Sequence, residues 1–203
     1  MVTRVSRASD PGERLHSDAE IVELSLGDPA SFAALFDRHA AEIGQYVRAR
    51  IGPDLAEDVT AQTFLDAFRQ RGRYDTSRAD ARPWLYGIAV RLIGTHRRAE
   101  ARYRKLTARA LPERDTHDFA ERSADRVVAQ QFRPVLAAVL DGLRPQDREL
   151  LLLVAWADLS YDECAQALGI TVSAVKSRLN RIRVRTRKAL GGANPMNEEE
   201  TGG

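Results

Sequence analysis

Ser160-Tyr-Asp-Glu-Cys-Ala-Gln-Ala-Leu-Gly-Ile-Thr-Val-Ser-Ala-Val-Lys-Ser-Arg-Leu179, continuing to Lys188, reads as a short helix, a glycine turn and a second, strongly basic helix. Ser160 and Glu163 have the spacing of a capping box, in which each side chain satisfies an orphan backbone donor at the helix start. Cys164, Ala165 and Leu168 give that helix one apolar side. Gly169 falls where the chain must stop and turn, a position that favours a residue tolerant of positive φ. Val175, Leu179 and Ile182 follow at i, i+4 and i+7 and predict the buried stripe of the second helix. Ser173, Lys176, Ser177, Arg178 and Arg181 are left facing outward. Between Ser173 and Leu190 there are seven Lys/Arg and no Asp/Glu. A basic helix alone would fit an ordinary solvated bundle. Cap, glycine turn, apolar stripe and basic outer face together predict a helix-turn-helix whose second helix meets DNA.

The rest of the chain divides its charge in the same manner. The formal net charge of the 203 residues is only +2. Arg82–Arg109 nevertheless holds eight Lys/Arg against Glu100, whereas Asp10–Glu42 holds eight acids against Arg14 and Arg38. Such segregation predicts two faces for nucleic acid and acidic surfaces for a different partner. Cys164 is the single cysteine, so no internal disulfide can form, and its place on an apolar helix side predicts a buried, inert thiol. The four histidines are scattered without the clustering zinc needs, and no metal or cofactor is expected. No apolar run approaches the ~20 residues of a membrane span, and no signal-peptide core is visible. A cytoplasmic protein without a membrane or small-molecule partner is expected.

Apolar residues recur at three and four rather than at two, which predicts an all-α fold. Residues 1–18 are polar and unpatterned and are expected to be disordered. Asp28 and Pro29 predict the start of the first helix. Phe32, Leu35, Phe36, Ile43, Val47 and Ile51 are its buried stripe, and Gly52-Pro53 ends it. The next helix turns Leu55, Val59, Phe64 and Phe68 inward and carries Asp54, Glu57, Asp58 and Asp66. A third opens near Pro83, with Arg91, Thr95, Arg98 and Arg102 on one side. Pro112 and its neighbouring acids mark a linker. Val128–Leu140 predicts a helix bent near Pro134. The expected organisation is a segment 1–18, a helical domain 19–109, an acidic flexible linker 110–124, a helix-turn-helix domain 125–190 and a disordered tail 191–203.

Three stretches carry a resemblance to a known family. Ala56-Glu-Asp-Val-Thr-Ala-Gln-Thr-Phe-Leu-Asp-Ala-Phe68 is similar to the polymerase-docking helix of extracytoplasmic-function (ECF) sigma factors of bacterial RNA polymerase. Arg82-Pro-Trp-Leu-Tyr-Gly-Ile-Ala-Val-Arg-Leu-Ile-Gly-Thr-His-Arg-Arg98 is similar to their −10 recognition helix. Leu143 through Leu190 resembles their −35-binding domain. The resemblance implies a protein without covalent chemistry of its own, which binds core RNA polymerase and promoter DNA to initiate transcription. It implies polymerase docking through Asp58, Gln62, Thr63 and Phe64, with core packing an equal alternative for Phe64. It implies −10 recognition through Tyr74, Arg78, Arg91, Thr95 and Arg98, with Trp84 as a core anchor. It also allows for an anti-sigma factor, because members of the family are often held inactive by one. Two departures stand out. The family often has Gln-Glu before the Thr-Phe pair, where this chain has Ala61-Gln62. It often has Asn and Asp four apart in the recognition helix, where this chain has Arg91 and Thr95.

Two other classes remain open to the residues. A stand-alone helix-turn-helix regulator would leave the acidic helix at 54–66 without a role. An enzyme acting on nucleic acid would need clustered carboxylates or a nucleophile–base pair. The acids of that helix fall on several of its sides instead.

Overall fold

The computed structural model describes residues 16–107 and 142–189. Among them all regular structure is helical. The expected disorder of 1–15, the linker 110–124, the helix at 128–140 and the tail 191–203 lie outside the described residues.

The chain enters its fold earlier than the sequence reading places it. Helix α1 (Asp18–Gly27) opens on a capping box. The Glu20 amide donates to Ser17 Oγ at 3.2 Å and the Ser17 amide to Glu20 Oε2 at 2.7 Å. Ala19, Ile21 and Val22 pack inward, and Asp18 is buried with them. Ser17-x-x-Glu20 was a readable start signal of the kind recognised at Ser160, masked by the polar residues before it.

Asp28 caps the next element as expected, accepting from the Ala30 amide and the Ser31 hydroxyl. That element is a 3-10 turn (Pro29–Phe32) leading into α2 (Ala33–Ile51). Leu35, Ile43, Tyr46 and Val47 are its core side. Gly52 has φ +83°, which a residue with a side chain would adopt only with strain, and Pro53 then occupies the first turn of α3 (Pro53–Gln70). A 3-10 turn (Arg71–Arg73) and a polar loop lead to the 26-residue α4 (Arg82–Thr107), which buries Leu85, Tyr86, Ile88, Ala89 and Ile93.

The C-terminal part comprises α5 (Pro145–Ala155), α6 (Tyr161–Leu168) and α7 (Val172–Ala189). Its local chemistry matches the reading. Ser160 and Glu163 form a capping box, and Gly169 sits in the left-handed region at φ +63°. Val175, Leu179 and Ile182 are buried. Cys164 is fully buried, and burial pushes its thiol up to about 11.

The two described parts pack against each other. Helix α4 lies on α6, and one apolar core runs through both parts. Gly87 makes the approach possible: a Cβ there would stand 2.6 Å from the Ala167 carbonyl oxygen.

Candidate nucleic-acid and polymerase interfaces

Helix α7 carries the first basic face. Thr171 caps it, accepting from the Ala174 amide at 3.2 Å. Its apolar side is held against α5 and α6, which fixes the rotation of the opposite side. Ser173, Lys176, Ser177 and Arg181 are exposed there and Arg178 is half-buried. Arg185, Arg187 and Lys188 continue the charge along the exposed C-terminal turns. Arg183 is turned aside and donates to the Tyr161 hydroxyl at 3.1 Å.

The second basic face lies on α4. Arg91, Thr95 and Arg98 are exposed and linked in a string. The Thr95 hydroxyl donates to the Arg91 carbonyl at 3.0 Å, and Arg98 donates to the same hydroxyl at 3.1 Å. Thr95 thus orients the Arg98 guanidinium. The loop residues divide. Arg78 is exposed, donating to Asp75 and, at 2.8 Å, to Gln166 of α6. Tyr74, expected to be available to a base, is 8% exposed. Its ring packs on Trp84 at 4.9 Å and its hydroxyl donates to the Arg78 carbonyl, so it shapes the loop from within. Trp84 is the half-buried anchor expected of it. A cavity of about 280 Å³ opens between Trp84, Gly87, Arg91 and the end of α6.

On α3 the four residues expected to dock polymerase separate into two pairs. Asp58 is exposed and Gln62 half-buried, its amide donating to Asp66 at 2.6 Å. Thr63 is 0% exposed and its hydroxyl donates to the Val59 carbonyl. Phe64 is 5% exposed and packed edge-on against Phe36 at 4.9 Å. The last two are therefore core residues, because positions 63 and 64 point into the α2–α3 pair rather than away from it. Phe36, expected inside, is 44% exposed, and Leu55, also expected inside, is exposed with Leu65. Leu55, Asp58, Gln62 and Leu65 recur at helical spacing and form one stripe of mixed acidic and apolar character. The run of apolar residues in α3 obscured this: it has more of them than one face can bury.

Two buried polar clusters escaped the sequence reading, since each joins residues far apart in the chain. In the first, His39 stands between Asp18 at 2.7 Å and Glu42 at 2.8 Å. Burial works against a charged ring, but the two carboxylates override it and raise His39 to about 9. Burial likewise opposes the Asp18 and Glu42 charges, yet His39 and their other donors hold both carboxyls below the usual range. Asp18 also accepts from Arg38 and from the Ala81 amide. Glu42 accepts from Arg82, whose guanidinium reaches the Ala157 carbonyl at 3.0 Å. Asp18, His39 and Asp80 bring potential metal ligands within 4.8 Å of one another. Both His39 nitrogens already face carboxylates, which favour the protonated ring, so the donor set suits an imidazolium rather than a metal ion.

In the second cluster Arg50 of α2 forms an ion pair with Glu149 of α5, and Tyr46 donates to Glu149 at 3.0 Å. Burial, together with the Glu149 charge, raises the Tyr46 hydroxyl well above its ordinary value. Arg97 of α4 donates to the Arg50 carbonyl at 2.8 Å. Burial and the neighbouring Arg50 charge lower the Arg97 guanidinium.

Comparison with known proteins identifies the family of the chain. The family model "Sigma-70 region 2" matches residues 35–103 and "Sigma-70, region 4" matches 134–185. The chain is 31% identical over 180 residues to the ECF RNA polymerase sigma factor SigD of Mycobacterium tuberculosis, covering 81% of this chain and 78% of that one. It is 29% identical over 180 residues to SigK of Mycolicibacterium vanbaalenii, covering 86% and 89%. Among solved structures it resembles CnrH in complex with the cytosolic domain of CnrY, with a TM-score of 0.57 at 24% identity, covering 87% and 99%. It also resembles the sigma factor RpoE of Bartonella quintana in complex with the anti-sigma factor NepR, with a TM-score of 0.60 at 20% identity, covering 80% and 98%. These two likenesses concern the fold. With both region models in chain order and a relative of this identity aligned over most of its length, the chain belongs to the ECF RNA polymerase sigma factors.

Proposed function

We propose that this chain is an alternative sigma factor that binds core RNA polymerase and directs it to promoters by reading −35 DNA with α7 and −10 DNA with α4. The supporting observation is the presence of two outward basic helical faces and one acidic–apolar stripe on separate helices. A repressor needs the first kind of face but not the last. Lys176, Ser177, Arg178 and Arg181 enter the major groove with the N-terminal half of α7, Ser173 allowing close approach. Arg91, Thr95 and Arg98, with Arg78 from the loop, hold the non-template strand of the −10 element as the duplex opens. Extruding a base costs a few kcal/mol of unstacking, which guanidinium stacking offsets.

Docking to a basic polymerase surface falls to Asp58 and Gln62, with Leu55, Leu65 and Phe36 supplying apolar contact and Thr63 and Phe64 shaping the helix beneath. The protein makes no bond itself and acts in the cytoplasm, where polymerase and chromosome meet. Among the described residues no helix is long and apolar enough to cross a membrane. RpoE of Bartonella quintana is seen with an anti-sigma factor; a partner of that kind is proposed here as well.

The test is assembly. Mixed with purified core RNA polymerase, the chain should form a stoichiometric complex on a native gel. A chain that binds promoter DNA but never core enzyme would be a stand-alone regulator instead.

A further inference from the structure

The cavity of about 280 Å³ between the first half of α4 and the end of α6 has chemically distinct walls. Trp84 offers an aromatic surface and is held by Tyr74, the ring centroids 4.9 Å apart. Val90 and Leu168, both half-buried, add apolar sides. Arg91 is exposed, and its guanidinium has no ion pair or hydrogen bond among the described residues. The last turn of α6 supplies acceptors, because a helix C-terminus leaves its final carbonyls without intrahelical donors. The Ala165 and Gln166 carbonyls accept from the Ile170 and Gly169 amides. The Ala167 carbonyl instead lies against Gly87, where a Cβ would stand 2.6 Å from it. Gln166 accepts from Arg78 at 2.8 Å through Oε1, which leaves its amide NH2 as a donor.

These walls select among ligands. An apolar molecule would strip water from the Arg91 guanidinium and put nothing in its place. A metal cation would be repelled by it. A bare anion would leave the indole and the apolar sides unused. A planar base carrying an amino group and a phosphate satisfies all of them: the ring stacks on the indole, the amine donates to the α6 carbonyl, and the phosphate meets the guanidinium. The volume lies near the lower bound of roughly 300 Å³ for small-molecule sites, which suits one nucleotide and no more. We propose that this cleft binds a free adenine mononucleotide, with the base on Trp84 and the phosphate on Arg91. The site belongs to the chain alone. Its consequence rests on the sigma-factor reading: Arg91 is a −10 candidate, so a bound nucleotide and the −10 strand compete for one guanidinium.

The experiment is isothermal titration of the full chain, without polymerase or DNA, with AMP, adenosine, ribose 5-phosphate and inorganic phosphate. AMP should bind saturably at one site per chain, at least tenfold tighter than any of the other three. Arg91→Ala, at an exposed position, should weaken AMP at least tenfold and leave adenosine as in wild type. Val90→Phe, which narrows the cavity, should weaken both, with circular dichroism checking that helix content is kept. No saturable AMP binding to the wild-type chain overturns the site. So does AMP bound no tighter than inorganic phosphate, which is what a merely basic surface would give. Wild-type AMP affinity in Arg91→Ala, or in a folded Val90→Phe, overturns it as well. A chain that binds AMP in this way but never core polymerase would defeat the functional reading and leave the nucleotide site standing.

Discussion

His39 Nε2 lies 2.7 Å from Asp18 Oδ2, both groups buried, and this contact fixes the first helix onto the second. With Glu42 on the other ring nitrogen, the imidazolium bridges two carboxylates, and Asp18 in turn receives the Ala81 amide at the threshold of α4. The start of α4 is thus positioned by Asp18, which lies within the polar N-terminal segment of the sequence, and by His39 and Glu42.

The pH dependence of stability follows. His39 is raised from 6.5 to about 9, so its contribution is complete below 6.5 and is lost as pH rises through 9. Asp18 and Glu42 are lowered from 3.8 and 4.5, so theirs is complete above those values and is lost as pH falls further. Thermal unfolding should show highest stability between 4.5 and 6.5 and a decline towards pH 9. His39→Gln should cost about 1–3 kcal/mol near pH 6 and flatten the alkaline decline. An unchanged slope from 6.5 to 9 in that variant would show that another group titrates there.

Asp58 is exposed on the α3 stripe and touches nothing the fold needs. Asp58→Arg should leave the unfolding midpoint unchanged to within about 0.5 kcal/mol. Fluorescence anisotropy should report at least tenfold weaker binding to core polymerase, as like charges are brought together. Thr63→Val should behave differently, since its hydroxyl is internal: any effect would come through the helix, at wild-type or slightly altered affinity.

Arg98 is held by Thr95 on the open side of α4. Arg98→Ala should leave core binding intact and lower strand opening, read as permanganate reactivity at the −10 thymines. Thr95→Val, which removes the hydroxyl that orients Arg98, should show a smaller loss of the same kind. Normal opening in both variants would make this face a solvated one.

Position along α7 should separate reading from holding. Lys176→Ala or Arg178→Ala should change the preferred −35 sequence and cost about 1–3 kcal/mol at one base position. Arg187→Ala should weaken every site alike and reduce the salt slope by about one. Val175→Asp should fail for another reason, because it buries a charge in the helix pair. Selection from a randomised −35 library by the full chain at two salt concentrations distinguishes these outcomes. Uniform scaling by Lys176→Ala and Arg178→Ala would remove the base-reading role.

What was legible in the sequence was local. Ser160, Glu163, Gly169 and the stripe Val175–Leu179–Ile182 act over a few residues, and the structure has them as read. Asp28, Pro29 and Gly52-Pro53 punctuate the chain in the same way. What was not legible was settled between elements. Arg50 and Glu149 are 99 residues apart, and nothing near either marks them as a pair. Phe36 and Leu55 are apolar at helical spacing, yet α2 and α3 cover each other first and leave both at the margin. Tyr74, which the resemblance implies for −10 recognition, lies in a polar loop, and nothing local to it reveals that its ring is buried. The loop folds back so that its ring meets Trp84.

The most direct test of promoter-specific initiation by this chain is run-off transcription with purified core RNA polymerase on a library of promoter fragments from the host genome. Initiation is expected at a distinct subset of fragments sharing one upstream motif near −35 and another near −10, with Arg98→Ala losing output from that subset while still bound to core. Transcription no greater than that of core enzyme alone, or starts with no shared upstream motif, would contradict it.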